Sequence, residues 1–234
     1  CLFLKPAESP DLSDLEKFKE LRRFPLEQLK IYYKASRDQD GSTLINNLIF
    51  PATLRSLEVD IELDWKSNLY DPCLTLFTRI QALPQLSELS CKVYMGSDGQ
   101  ELVNLDKFFF QNLPISLTKL ECHLVCTSRE GINKNNFQQI WSDLAKYELL
   151  KEFRLTILNK EWGFRMSQQG INPYPLIKGD EHVRLPSIEY FHITSLIHQL
   201  DYDSILSMLA QNKLKGFHIY SNKHLESIDA KWLF

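Results

Sequence analysis

The stretch Leu117-Thr118-Lys119-Leu120-Glu121-Cys122 contains the pattern that decides the fold. An apolar residue is followed by two others, an apolar residue, one other and a third apolar residue; we call this pattern the strand motif. Any single strand can contain it, but seven copies spaced 26 to 38 residues apart indicate a repeat architecture. The other six copies begin at Leu26, Leu54, Leu86, Leu150, Ile188 and Leu214.

The segments between the copies have helical spacing and end in proline. A proline lies one to three residues before five of the copies, where it ends a helix and favours an extended chain. Upstream of these prolines the apolar spacing changes from two residues to about 3.6. We therefore predict helices on five apolar stripes: 12–21, 74–80 after the cap Asp71, 105–109, 137–144 after the cap Asn136, and 205–209 after Asp203 and Ser204.

Each repeat therefore consists of a helix, a turn and a strand of three to five residues. One such unit cannot bury both its helix stripe and its strand face, whereas stacked units bury them in a continuous core. The prediction is an α/β solenoid with parallel strands on the concave face and helices outside. It forms one domain over 1–234, with about seven irregular repeats and an irregular insertion at 159–184. An ordinary doubly wound α/β sheet is the alternative.

These repeats resemble the leucine-rich-repeat family from about Leu12 to Phe234. The long period is similar to that of the helix-bearing subfamilies, such as the ribonuclease-inhibitor type and the repeats of F-box proteins. Segments 50–57 and 113–120 resemble the irregular repeats of fungal F-box-type proteins. The resemblance implies a solenoid that binds protein, and a ubiquitin-ligase adaptor that would reach a Skp-type adaptor through a segment upstream of this chain. No F-box-like segment is recognisable, and we interpret the chain as a piece of a longer protein.

The chain departs from the family pattern at the turns. The family places Asn or Cys three residues after the third apolar position, and only Asn222 fits. We therefore expect the turns to be held by other contacts. The remaining copies carry Lys34, Glu62, Tyr94, Val125, Leu158 and Leu196 at that position.

Composition argues against several classes of protein. The net charge is −3 and the pI about 6.1, without a basic stripe, so nucleic acid is not expected as the main partner. No apolar run approaches the roughly 18 residues of a membrane span.

Five cysteines fit no disulfide framework, and we interpret them as small buried side chains, although Cys122 and Cys126 resemble half a zinc site. Together with the absence of glycosylation acceptors, this favours the cytoplasm or nucleus.

Motifs that would carry chemistry are absent. The sequence contains no dinucleotide or P-loop glycine pattern, no nucleophile elbow and no local metal spacing among its six histidines. Asp201 and Asp203 resemble an acid pair, but their place before an apolar stripe indicates helix capping. We predict no enzymatic activity, no cofactor and no metal.

Two surfaces are candidates for binding. Alternate strand residues face opposite ways, so one set of positions points away from the core. On the last three motif strands this set contains the predicted partner-binding residues Arg154, Tyr190, His192, His218 and Tyr220, although exposed strand positions also carry mixed polar residues without a function. The weaker candidate is the insertion, where Trp162, Phe164 and Tyr174 either fold back on the repeats or anchor a partner.

We therefore expect a protein-interaction module, with substrate recognition in an F-box-type ubiquitin ligase as the leading hypothesis. A structural scaffold subunit of a stable complex, for example a chromosome-associated one, is the alternative. Apolar patches outside the concave face would favour the scaffold. An enzyme or nucleotide-binding domain is a more distant possibility and would need a pocket with convergent titratable groups.

Overall fold

The computed structural model describes residues 2–4, 18–34, 47–62, 70–95, 110–126, 134–159, 176–180, 182–185, 187–195, 199–221 and 228–229. The strands are β1 Leu2–Leu4, β2 Gln28–Lys34, β3 Ser56–Glu62, β4 Glu88–Met95, β5 Lys119–Cys126, β6 Glu152–Asn159, β7 Leu176–Ile177, β8 Tyr190–Ser195, β9 Gln199–Leu200, β10 Gly216–Ser221 and β11 Ile228–Asp229. The helices are a 3-10 helix at Phe18–Arg23 and the α-helices α1 Tyr70–Gln81, α2 Lys134–Leu144 and α3 Tyr202–Leu209. Helix 105–109 and the three insertion aromatics lie outside the described residues.

The main sheet has nine strands in the order β1-β2-β3-β4-β5-β6-β8-β10-β11. Every pair is parallel except β10 with β11, which is antiparallel. All seven copies of the strand motif form strands of this sheet, as predicted. Their second apolar positions are in register, in the order Leu29, Leu57, Leu89, Leu120, Phe153, Phe191 and Phe217.

This order follows the chain without a reversal among the described strands. A doubly wound sheet reverses its order at a switch point, so the alternative architecture does not describe this sheet. The predicted strand length of three to five residues was too short, because these strands have six to eight. The alternation continues past the motif, since Leu124 and Ile157 are also buried.

The described helices cover one face of the sheet. The apolar motif positions are buried, and the helices supply the opposing layer through residues such as Phe77, Ile140 and Met208. The centre of this core is aromatic. The Phe153 ring contacts Phe110, Trp141 and Phe191 at centroid distances of 6.5, 6.4 and 5.8 Å. The other face of the sheet carries the partly exposed residues described below.

A ladder of carbonyl groups joins successive repeats at the edge where the strands begin. The carbonyl of the residue before each strand accepts two N–H groups from the next repeat, as when Ser87 O accepts from Thr118 N at 2.8 Å and Lys119 N at 3.0 Å. Hydroxyl groups add to it, since Thr53 Oγ1 donates to Leu26 O and Ser116 Oγ to Leu86 O. The turns that follow the strands, including Asn222, lie outside the described residues, so the expectation about how they are held stays a prediction. The other carbonyls of this ladder belong to Glu27, Arg55, Thr118, Lys151 and Glu189.

Helix starts were predicted less well than helix faces. Helix α1 begins at Tyr70 and α2 at Lys134, so Asp71 and Asn136 lie inside their helices and do not cap them. Apolar spacing defines which face is buried but leaves the first turn open to alternatives. For α3 the capping prediction is confirmed for Asp201, whose carboxylate accepts from Ser204 N at 3.2 Å, whereas Asp203 and Ser204 lie inside the helix.

The end of the insertion packs against two helices. Trp141 of α2 donates its indole N–H to Lys178 O at 2.7 Å, and Ile177 is buried. Gly179 lies against the start of α3, where a Cβ would be 2.3 Å from Ser204 O. The close approach of two backbones explains why glycine occupies position 179.

Candidate functional site: the open face of the sheet

The open face is the side of the sheet opposite the helices in the described part of the chain. Its residues alternate with the buried ones along each motif strand, and the parallel register arranges them in three rows across the sheet. The middle row contains Lys30, Glu58, Ser90, Glu121, Arg154, His192 and His218. The row toward the strand starts runs from Gln28 to Gly216, and the row toward the strand ends runs from Tyr32 to Tyr220.

The first four motif strands carry a groove of about 370 Å³ on this face. The charged side chains in and beside it pair with one another. Lys30 lies 2.5 Å from Glu58, and Lys92 lies 3.4 Å from Asp60. Because such exposed pairs satisfy their own charge, this half of the open face has little net attraction for a charged ligand. The charged residues that line the groove are Lys30, Glu58, Glu88, Lys119, Glu121 and His123.

The five predicted contact residues lie together on β6, β8 and β10. Arg154, His192 and His218 are direct register neighbours, and Tyr190 and Tyr220 lie in the flanking rows. The Arg154 Nε donates to Glu152 Oε1 at 2.7 Å, and Lys119 approaches the same oxygen at 3.5 Å. We call these five residues the C-terminal patch.

The ring of Tyr190 lies over the neighbouring strand β10. A Cβ on its register partner Gly216 would be 2.8 Å from Tyr190 Cδ1, so the ring lies over the position where other residues carry a side chain. Tyr190 nevertheless remains 46% exposed. An exposed aromatic ring with a fixed position can bury a large area on binding with little loss of conformational entropy.

The two histidines of the patch form a stack. The rings of His192 and His218 have centroids 4.3 Å apart and planes 16° apart, and His192 Nε2 lies 3.0 Å from Thr194 Oγ1. Burial, followed by the electrostatic effect of the neighbouring His218 and Arg154, lowers the pKa of His192 from 6.5 to about 4. His192 is therefore neutral at pH 7 in the unbound protein.

The buried titratable groups do not form a reactive centre with this patch. Cys91 and Cys122 are buried register neighbours that are not joined by a disulfide, as expected of small core side chains. Burial raises the pKa of the Cys122 thiol well above its ordinary value, which disfavours the reactive thiolate. Burial likewise raises the pKa of Tyr147 to about 12. The residues that the structure describes contain no cluster of three or more metal-ligating side chains.

A second surface lies at the edge where the strands begin. Three large apolar side chains are exposed in the turns before β2, β5 and β6: Phe24, Ile115 and Leu149, with exposed fractions of 54%, 77% and 57%. We call these three residues the turn edge. They do not belong to the open face, and the motif pattern did not single them out.

Alternation along the strands was enough to select the C-terminal patch from sequence. The histidine stack and the contact of the Tyr190 ring with Gly216 were missed, although aligning the motif copies brings both pairs side by side.

Comparison of the chain with protein-family models and with curated proteins yields no match. Every helix in the described ranges is too short or too polar to cross a membrane.

Proposed function

We propose that this chain is a divergent leucine-rich-repeat solenoid whose open face binds another protein. The observation that carries this proposal is the register of seven motif strands, one from each repeat, with a single covered face. Stacked units of this kind present a long row of side chains that a macromolecule can contact at many points. A sheet in chain order with an uncovered face is also what the leucine-rich-repeat resemblance implies.

The C-terminal patch is the proposed contact surface on that face. It combines Arg154 with Tyr190 and Tyr220, and both residue types are enriched among those that dominate binding energies at interfaces. His192 in this patch is neutral at pH 7 and half-buried, so partner binding need not remove a fully hydrated charge at that position. The paired charges of the first four strands are the proposed rim.

We further propose that the partner is a substrate of a ubiquitin ligase and that the chain is the recognition part of an F-box-type adaptor. This step is supported by the family resemblance alone, because a fold does not define an activity. The two unlinked register neighbours Cys91 and Cys122 favour a reducing compartment, in agreement with the expected cytoplasmic or nuclear location.

Affinity purification of the full-length protein from its native cells, followed by mass spectrometry, tests this function. We expect a Skp-type adaptor and a cullin to be recovered, together with substrates that accumulate when the proteasome is inhibited. A fixed stoichiometric set of proteins without adaptor or cullin would overturn the ligase proposal.

The second candidate function is a scaffold subunit, and the turn edge is the observation that favours it. Phe24, Ile115 and Leu149 are exposed apolar side chains outside the open face, as a permanent interface would require. In a scaffold, substitution of these residues by Ser would release the stoichiometric partners. In a ligase adaptor the same substitutions would leave substrate capture unchanged.

A further inference from the structure

The surroundings of His192 on the open face are basic on both sides. Its register partner on β6 is Arg154, and its register partner on β10 is His218, whose ring stacks on it at 4.3 Å. On its own strand the neighbouring outward residues are Tyr190 and Thr194, which carry no negative charge at pH 7. Two imidazoles and a guanidinium therefore share a short row without an acidic residue between them.

The nearest carboxylates are already engaged or lie farther along the rows. Glu152 accepts from Arg154 and Lys119, and Glu121 on β5 lies 3.0 Å from the His123 ring. Beyond His218, β11 places Asp229 at the next register position of the row. None of these residues is a register neighbour of His192.

Glu189 precedes β8 at the strand-start edge and is held by two lysines. Its carboxylate lies 2.5 Å from Lys215 Nζ and 3.7 Å from Lys151 Nζ. The charge of Glu189 is therefore paired with two lysines, and Glu189 lies outside the row of His192. Among the described residues, Glu121, the register neighbour of Arg154, is the acidic group that acts on His192, and burial and the basic neighbours outweigh its effect on the pKa of His192.

We infer that the row Arg154–His192–His218 binds an acidic side chain of the protein partner and takes up a proton from solvent as it does so. The inference rests on the proposed protein-binding function and adds the chemistry of the partner: an Asp- or Glu-containing segment. Its carboxylate would lie over His192, accept a hydrogen bond from the protonated His192 imidazole, and gain from the nearby Arg154 guanidinium.

His192 takes up a proton on binding because the partner's carboxylate places a negative charge beside it and offsets the effects that keep it neutral. In the unbound protein, burial and two basic neighbours keep His192 neutral down to a pKa of about 4. An adjacent negative charge favours the protonated form and shifts the pKa upward. If the carboxylate restores the pKa to its ordinary 6.5, linkage gives an affinity about tenfold higher at pH 5.5 than at pH 7.5.

Fluorescence polarisation with two labelled peptides tests this inference. One peptide alternates Asp and Ser, and the other alternates Lys and Ser; both are titrated with the whole chain at pH 5.5 and 7.5. We expect the acidic peptide to bind about tenfold more tightly at pH 5.5. The basic peptide should bind weakly at both values.

Three variants locate the effect. His192→Gln should reduce the pH dependence of acidic-peptide binding to less than twofold, and His218→Gln should reduce it in part, because burial acts on the pKa of His192 more strongly than His218 does. His123→Gln, on the same face but beside Glu121, should retain the tenfold dependence. The His192 Cε1–H resonance, followed by NMR, should titrate at a higher pH when the acidic peptide is bound.

Equal pH dependence in His192→Gln and in the unsubstituted protein would overturn the inference. So would an unchanged His192 titration with peptide bound, or preferential binding of the basic peptide. If the acidic peptide does not bind at pH 5.5, the inference also fails. In that case the protein-binding function itself is still decided separately by affinity purification.

Discussion

Replacement of Phe153 by Ala removes the residue at the centre of the aromatic core. Phe153 is fully buried and its ring contacts Phe110, Trp141 and Phe191. Burial of this kind makes Phe→Ala substitutions cost about 3–5 kcal/mol. Edge-to-face and tilted ring pairs contribute about 0.5–1.5 kcal/mol each, so we expect a loss of about 4–5 kcal/mol in the free energy of unfolding.

The matched control is the next residue of the same strand. Arg154 faces away from the core, and its ion pair with Glu152 is exposed on the arginine side. Arg154→Ala should therefore change the free energy of unfolding by no more than about 0.5 kcal/mol. Two adjacent positions thus report on the two faces of the sheet.

Urea denaturation followed by circular dichroism measures both effects, with the m-value as a check that the unfolded states are comparable. Phe153→Leu retains most of the buried volume and should cost about 1–2 kcal/mol, so it keeps the comparison measurable if Phe153→Ala fails to fold. Equal losses for Phe153→Ala and Arg154→Ala would refute the assignment of the two faces. A larger loss at Arg154 would indicate that the covered and open faces are reversed.

Three further predictions concern other parts of the fold. Gly179→Ala should lower the free energy of unfolding by about 1–3 kcal/mol, because its Cβ would overlap Ser204 O; an unchanged thermal midpoint would contradict the close approach. His192→Gln should reduce the acid sensitivity of folding. The unfolded histidine binds its proton near pH 6.5 and the folded one near pH 4, so the native protein loses stability as the pH falls through this window. Because His192 is partly exposed, we expect the loss in the free energy of unfolding to be about 1 kcal/mol. Denaturation at pH 7 and at pH 4 should show this loss in the unsubstituted protein but not in His192→Gln. Cys91 and Cys122 should resist alkylation at pH 8 in the folded protein and react in urea; rapid labelling of either in the native state would contradict their burial.

The sheet could be predicted from sequence because it depends on a repeated local pattern. Aligning the copies at Leu120, Phe153 and Phe191 already gives the observed register and separates buried from open positions. Strand length was underestimated because the prediction stopped at the third apolar residue. Beyond it, Leu124 and Ile157 continue the same alternation into the core.

Other features depend on contacts between distant parts of the chain. The helix starts at Tyr70 and Lys134 do not follow the polar residues Asp71 and Asn136, because several nearby residues can begin a helix on the same apolar stripe. The carbonyl ladder is made of backbone atoms, which do not depend on residue type, so it could not be predicted from the sequence. Its side-chain part is visible as hydroxyl residues just before the strands, such as Thr53, Ser87, Ser116 and Thr118.

The candidate site was predictable in its members but not in its interactions. Alternation selects Arg154, Tyr190 and His218, while the stacking of His218 on His192 depends on the register of two strands 26 residues apart. The exposed apolar side chains Phe24, Ile115 and Leu149 were missed because they lie in turns, outside the alternation that selects strand residues.

One comparison tests the central claim most directly. The full-length protein is purified from its native cells in three forms: unsubstituted, with Arg154, Tyr190 and Tyr220 changed to Ala, and with the turn edge changed to Ser. All three are first shown to be folded by circular dichroism and thermal unfolding. The account predicts that the open-face variant loses its captured partners and that the turn-edge variant retains them. Retention by the open-face variant, with loss by the turn-edge variant, would contradict it.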